Sequence, residues 1–214
     1  MQHYVLDIET LAIAPTHEVI KAQEARLAKR YKQQKTIDEH LAKFVENFTF
    51  NDLRGARICC IGVGVISGGK LEDVATYCSE KPHELADFLD DWMKENIPPG
   101  SEVKQVGFNN KEFDWPRLAL MYQALGRSFP HPVGRYSLID LKLEGLAASK
   151  RWEFSLASLA ELLQLDHHWS SDVDGSAIAG LWASGRRDEI ATYCREDVIV
   201  TGECFIKQNL TFKF

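Results

Sequence analysis

The chain has 214 residues, 45% of them apolar, with a formal net charge of −6. That is enough apolar material for one compact domain with a sizeable core. No apolar run approaches the roughly 20 residues a membrane-spanning helix requires, and the overall acidity is not the basic footprint usual for a nucleic-acid binder. Five cysteines (Cys59, Cys60, Cys78, Cys194 and Cys204) without a Cys-x2-Cys spacing, and an N-terminus without a secretory pattern, point to a soluble protein in a reduced, cytoplasmic setting.

In chain order, residues 2–9 predict a first strand. The interval His17–Phe48 predicts one or two amphipathic helices, with apolar positions at Ile20, Leu27, Tyr31, Ile37, Leu41, Phe44, Val45 and Phe48. Residues 57–66 and 71–78 predict two further strands joined by a turn at Gly68-Gly69. Pro82 opens a helix to about residue 95, Pro98-Pro99-Gly100 ends it, and residues 102–108 return as a strand. Asp114 falls at a strand-to-helix junction. Pro116 fits the first turn of the following helix, where its missing amide proton costs little, and Gly126 fits its C-terminal stop. After a loop rich in proline and glycine (residues 130–134), helical periodicity runs over 155–163, 177–184 and a long final segment, 188–208. Strands first, then a crossing helix, a strand and helices predict an α/β layer with a mixed sheet. The organisation expected is a single domain, 1–214, with a helical insertion at about 15–55.

Three acidic stations carry the chemistry. Asp7 and Glu9 sit two apart in the first strand and therefore point the same way, while Leu6 and Ile8 point into a core. Asp114 opens a helix after a strand. Tyr193 and Asp197, four apart on the last helix, share a face. Two carboxylates about 6 Å apart at an effective dielectric of roughly 20 repel by about 3 kcal/mol, so four gathered together call for compensating charge. Two divalent cations would supply it. They would bring the loaded protein to about −2 and concentrate positive potential where a scissile phosphate must sit. Hard oxygen ligands suit Mg2+ or Mn2+, and the absence of a Cys/His cluster speaks against zinc. His167-His168 reads as a surface pair. Gly62-Val63-Gly64 is a poor dinucleotide-binding signature, because Ser67 replaces the third glycine and a hairpin follows; close strand packing explains these glycines better.

Asp7, Glu9, Asp114 and Asp197, with Asn109-x3-Phe113-Asp114 and Tyr193-x3-Asp197, resemble the motifs of the DEDD superfamily of 3'-5' exonucleases, in its tyrosine (DEDDy) branch. Phe113-Asp114-Trp115-Pro116-Arg117-Leu118, Asp140-Leu141 and Asp174-Gly175 resemble the proofreading domain of B-family DNA polymerases and its stand-alone relatives. The resemblance implies a ribonuclease H-like fold, with a mixed central sheet flanked by helices. It also implies metal-dependent hydrolysis from the 3' end of single-stranded DNA.

Within that resemblance Asp7 would bridge both metals, Glu9 and Asp197 would complete one ion, and Asp114 would hold the other. Tyr193, a poor base at neutral pH, would orient the attacking water. Thr10, Leu11 and Asn109 would contact the terminal nucleotide, and Phe113 either does so or belongs to the core. The chain is too short to hold a polymerase as well, so the expectation is an enzyme working alone or as a separate subunit, its polymerase or repair partner unknown. RNA remains an alternative polymer, and a non-catalytic nucleic-acid-binding scaffold an alternative class. Arg26, Lys29, Arg30, Lys32 and Lys35, without an intervening acid, form either a solvated helical face or a guide for the substrate backbone.

Overall fold

The computed structural model describes residues 2–46, 48, 55–131, 137–144, 154–166 and 173–212. It contains two compact units, one formed by Met1–Glu9 with Ile58–Phe214 and the other by Thr10–Arg57.

Five strands, β1 (Gln2–Ala12), β2 (Ala56–Ser67), β3 (Lys70–Cys78), β4 (Val103–Gly107) and β5 (Leu138–Asp140), form one sheet in the order β3-β2-β1-β4-β5. β4 runs parallel to β1, with Val106 opposite Val5, and β5 runs parallel to β4, with Asp140 opposite Gly107. β2 and β3 are an antiparallel hairpin. Its turn is made by Gly68 and Gly69 at φ +59° and +77°, the two left-handed residues that match the twist of the flanking strands.

Among the described residues the helices are α1 (His17–Arg30), α2 (Gln34–Glu46), α3 (Pro82–Asn96), α4 (Asp114–Ala124), α5 (Leu141–Glu144), α6 (Leu156–Leu162), α7 (Ile178–Ala183) and α8 (Arg187–Phe212). The strands alternate sides, as the period of two requires. Tyr4, Leu6 and Ile8 of β1 join Ile61, Val63 and Val65 of β2 on one face, under Leu85, Leu89, Trp92 and Met93 of α3 and Leu118 and Tyr122 of α4. Val5, Ile66 and Val106 belong to a second cluster with Leu159 and Ala160 of α6 and Val198, Cys204 and Phe205 of α8. Asp7 and Glu9 follow the parity of Val5, so they lie on the face covered by α8.

The architecture is the ribonuclease H-like α/β fold with a mixed sheet flanked by helices. α4 ends at Gly126, φ +66°, whose amide donates to the Gln123 carbonyl at 3.0 Å. β1 continues to Ala12, past the predicted end at residue 9, and α8 runs from Arg187 to Phe212. β5 and the four-residue α5 were not foreseen, because three or four residues are too few to display a period. His167-His168 and residues 132–134 of the predicted loop lie outside the described residues. No helix among the described residues is long and apolar enough to cross a membrane.

In the Thr10–Arg57 unit, Thr16 caps α1 by accepting from the Val19 amide at 3.4 Å, and Tyr31, which ends α1, stacks on His40 of α2 with ring centroids 4.6 Å apart. Leu27, Ile37 and Phe48 are buried. The side chains of Arg26, Lys29, Arg30, Lys32 and Lys35 are all exposed.

Candidate active site

The site forms on β1 just beyond the C-terminal end of its parallel neighbour β4, the end of the strands where ligands usually bind in open α/β sheets. β4 stops at Gly107, and the chain loops back to Asp114 at the start of α4. That loop is held by Asp140, a fully buried carboxylate at the end of β5. It accepts from the amides of Asn109 at 2.9 Å, Lys111 at 3.1 Å and Lys142 at 3.0 Å. Asn109 takes a left-handed conformation, φ +63°, which folds the loop so that its carbonyl accepts from Phe113 N at 3.0 Å. Asn110 is fully buried against Gly107, where a Cβ would sit 2.6 Å from the Asn110 Cβ. A side chain at 107 would therefore expel Asn110 and the loop with it.

So delivered, Asp114 accepts the Ile8 amide through Oδ1 at 3.1 Å. Its carboxylate is thereby fixed to the backbone between Asp7 and Glu9. Arg117, one turn along α4 and buried, donates to the Phe113 carbonyl at 2.9 Å, with its guanidinium 3.8 Å from the centre of the Phe113 ring. Phe113 is partly buried and packs on the core beneath the sheet.

The remaining residues arrive on α8. Gly62 of β2 has no Cβ, and one placed there would lie 2.8 Å from both Cys194 Sγ and Val198 Cγ2; at Gly64 a Cβ would meet Val198 at 3.3 Å. The two glycines thus let α8 lie against the sheet. Tyr193 and Asp197 then come into the electrostatic field of Asp7 and Glu9. Cys194 reaches furthest in, its Sγ 3.6 Å from Asp7 Oδ2. Asp7, Glu9 and Cys194 offer donor atoms that all lie within 4.8 Å of one another.

Burial raises the proton affinity of all four carboxylates, and the charges of Asp114 and Asp197 add to it at Asp7 and Glu9. Burial, then the charges of Asp197, Asp114 and Glu9, hold Asp7 well above the usual carboxylate range, partly offset by the contact with Cys194. Burial, then Asp197 and Asp114, do the same to Glu9. Burial pushes Asp114 up to about 7, despite the stabilising Ile8 amide, and pushes Asp197 up to about 7, despite the facing Tyr193 hydroxyl. The Tyr193 phenol is raised by burial and by the neighbouring carboxylates. It therefore stays protonated at neutral pH.

Glu9 is 7% exposed and has no hydrogen-bond or ion-pair partner among the described residues. Carboxylates crowded together at so little exposure are costly unless a cation meets them, and their oxygens are donors that hard divalent cations take. The residues fit such ions. A separate cavity of about 830 Å3, lined by Ile97, Pro99, Val103, Lys104 and His131 among others, opens at the opposite, N-terminal end of β4 and includes none of the four carboxylates.

Asp7, Glu9, Asp114, Tyr193 and Asp197 are thus assembled in one electrostatic cluster. Thr10 and Leu11 belong to the Thr10–Arg57 unit, where Thr10 is half-buried and Leu11 buried. Two residues escaped the sequence reading. Cys194 was read for its redox setting, although its spacing of three from Asp197 already put both on one helical face. The part Asp140 plays in holding the loop was hidden because β5 was not foreseen.

A five-stranded mixed sheet flanked by helices, with acidic side chains collected at the ends of its parallel strands, defines a ribonuclease H-like nuclease scaffold. A family model described as RNase H superfamily matches residues 45–204, and the chain belongs to that superfamily. Its members in general hydrolyse nucleic acids with divalent metals. The matched stretch contains Asp114, Tyr193 and Asp197 and begins after Asp7 and Glu9. No curated protein matches the chain.

Proposed function

We propose that the protein is a metal-dependent 3'-5' exonuclease of the DEDDy type that removes nucleotides from single-stranded DNA ends. The observation that carries this reading is the convergence of Asp7, Glu9, Asp114 and Asp197, from β1, the β4–α4 loop and α8, with Tyr193 beside them. Asp7, Glu9, Asp114 and Asp197 would hold two divalent cations, Mg2+ or Mn2+. When bound, these supply an activated water, a charge sink at phosphorus and stabilisation of the departing oxygen.

The chain's own residues do the positioning. The Ile8 amide and the Asp140 clamp fix the Asp114 carboxylate. The Tyr193 hydroxyl, kept protonated, donates a hydrogen bond that orients the attacking water rather than removing its proton. Asn109, on the loop that leads to Asp114, has its backbone committed to the fold, and its side chain is assigned to the terminal nucleotide. Phe113 contributes mainly through packing and through its stack with Arg117.

The test is 5'-labelled single-stranded DNA and matched RNA, incubated with Mg2+, Mn2+ or chelator, alongside Asp7→Ala. A metal-dependent ladder shortening from the 3' end of DNA, absent in the variant, is expected. Preferential shortening of the RNA would move the substrate to RNA, and metal binding without cleavage of either polymer would favour a scaffold. Wild-type rates from Asp7→Ala would sink the site assignment.

A further inference from the structure

We propose that Cys194 completes, with Asp7 and Glu9, a mixed oxygen and sulfur site for a thiophilic divalent cation of the zinc, cadmium or cobalt class. The inference rests on the reading that Asp7 and Glu9 hold metal and adds a ligand and a selectivity to it. Three observations converge. The donor atoms of Asp7, Glu9 and Cys194 lie within 4.8 Å of one another, and the Cys194 Sγ to Asp7 Oδ2 separation is 3.6 Å. Metal–sulfur bonds of about 2.3 Å and metal–oxygen bonds of about 2.0–2.2 Å put tetrahedral ligands roughly 3.3–3.7 Å apart, so the sulfur–oxygen pair already has that spacing. Glu9, 7% exposed, brings the third donor within the same 4.8 Å.

Cys194 is also held in place. It is fully buried on α8, with its Sγ against Gly62, so the thiol is aimed at the carboxylates by the packing of helix on sheet. The thiol proton leaves to solvent as the metal–sulfur bond forms, since a coordinating thiol is deprotonated outright. No redox change is involved. A thiolate beside two carboxylates favours zinc-like ions over Mg2+. Such an ion shares Asp7 and Glu9 with the proposed catalytic metals and therefore competes with them.

The test is cobalt(II) titration of the full chain, followed by absorption. A near-ultraviolet sulfur-to-cobalt charge-transfer band should accompany the visible d–d bands. Cys194→Ser should remove the charge-transfer band and weaken cobalt binding by at least about tenfold, with the visible bands still reached at higher cobalt. Cys204→Ser, at a cysteine in the core cluster further along α8, should keep both signals. Should Cys194→Ser fail to fold, Asp7→Asn with Cys194 intact takes its place, and loss of the band there puts the thiolate at this cluster. Visible bands without charge transfer, or a band that survives Cys194→Ser or Asp7→Asn, would overturn the thiolate ligand and leave the oxygen site standing. Failure to bind either cobalt or Mn2+ would overturn the underlying metal site as well.

Discussion

Gly62→Ala tests how the site is assembled without replacing any group that carries its chemistry. The new methyl would stand 2.8 Å from Cys194 Sγ and Val198 Cγ2 and 3.1 Å from the Cys194 carbonyl oxygen. Carbon contacts settle near 3.5–4.0 Å, so α8 must withdraw by about 1 Å. The neighbour across the gap is partly helix backbone, so side-chain rotation alone does not relieve the clash. Overpacking of this kind costs about 1–3 kcal/mol, which for a chain of this size lowers the melting temperature by roughly 2–12 °C. The same displacement carries Tyr193 and Asp197 away from Asp7 and Glu9, and a misplacement of about 1 Å can cost on the order of 100-fold in rate. Differential scanning calorimetry and metal-dependent cleavage of labelled DNA read the two effects. Wild-type melting and wild-type turnover in Gly62→Ala would refute the account in which the close approach of α8 builds the site.

Asp140→Ala leaves three amides without their acceptor; at about 1.5–3 kcal/mol for each bond to a charged group, a loss of about 4.5 kcal/mol or more is expected in urea unfolding, and an unchanged midpoint would refute the clamp. Burial pushes Asp114 and Asp197 up to about 7 in the fold and holds Asp7 and Glu9 well above the usual carboxylate range, against about 4 when unfolded. The native state therefore binds more protons, and metal-free stability is full below about pH 4 and declines as pH rises through about 7 and beyond. Saturating Mg2+ or Mn2+ should offset that decline, and a metal-free melting temperature that rises between about pH 5 and 8 would contradict the shifts. Tyr193→Phe should keep manganese binding, measured by calorimetry, while turnover falls roughly 100-fold; unimpaired turnover would remove the hydroxyl from the mechanism. Replacing Arg26, Lys29, Arg30, Lys32 and Lys35 by glutamine should weaken DNA binding and flatten its salt dependence by up to about 3.5 log units per log unit of salt, whereas unchanged affinity would return them to a solvated surface.

Much of this protein is written locally in its chain. Alternation in β1 set Leu6 and Ile8 against Asp7 and Glu9. Paired glycines set the β2–β3 turn, and Gly126 set the end of α4, because each depends on a few residues in sequence and on the sterics of a single backbone position. The spacing of Tyr193 and Asp197 likewise fixed a shared helical face before any packing was known. The tertiary structure decided which of these faces meet. Asp114 comes between Asp7 and Glu9 because its carboxylate takes the Ile8 amide, 106 residues away in the chain. β5 exists because β4 offers it a ladder, and its Asp140 gains meaning from the three amides around it. Cys194 is a core cysteine by composition; the missing Cβ at Gly62 brings its sulfur to Asp7. Periodicity reports on neighbours along the chain, whereas the charge repulsion that marks this site arises between groups brought together by packing alone.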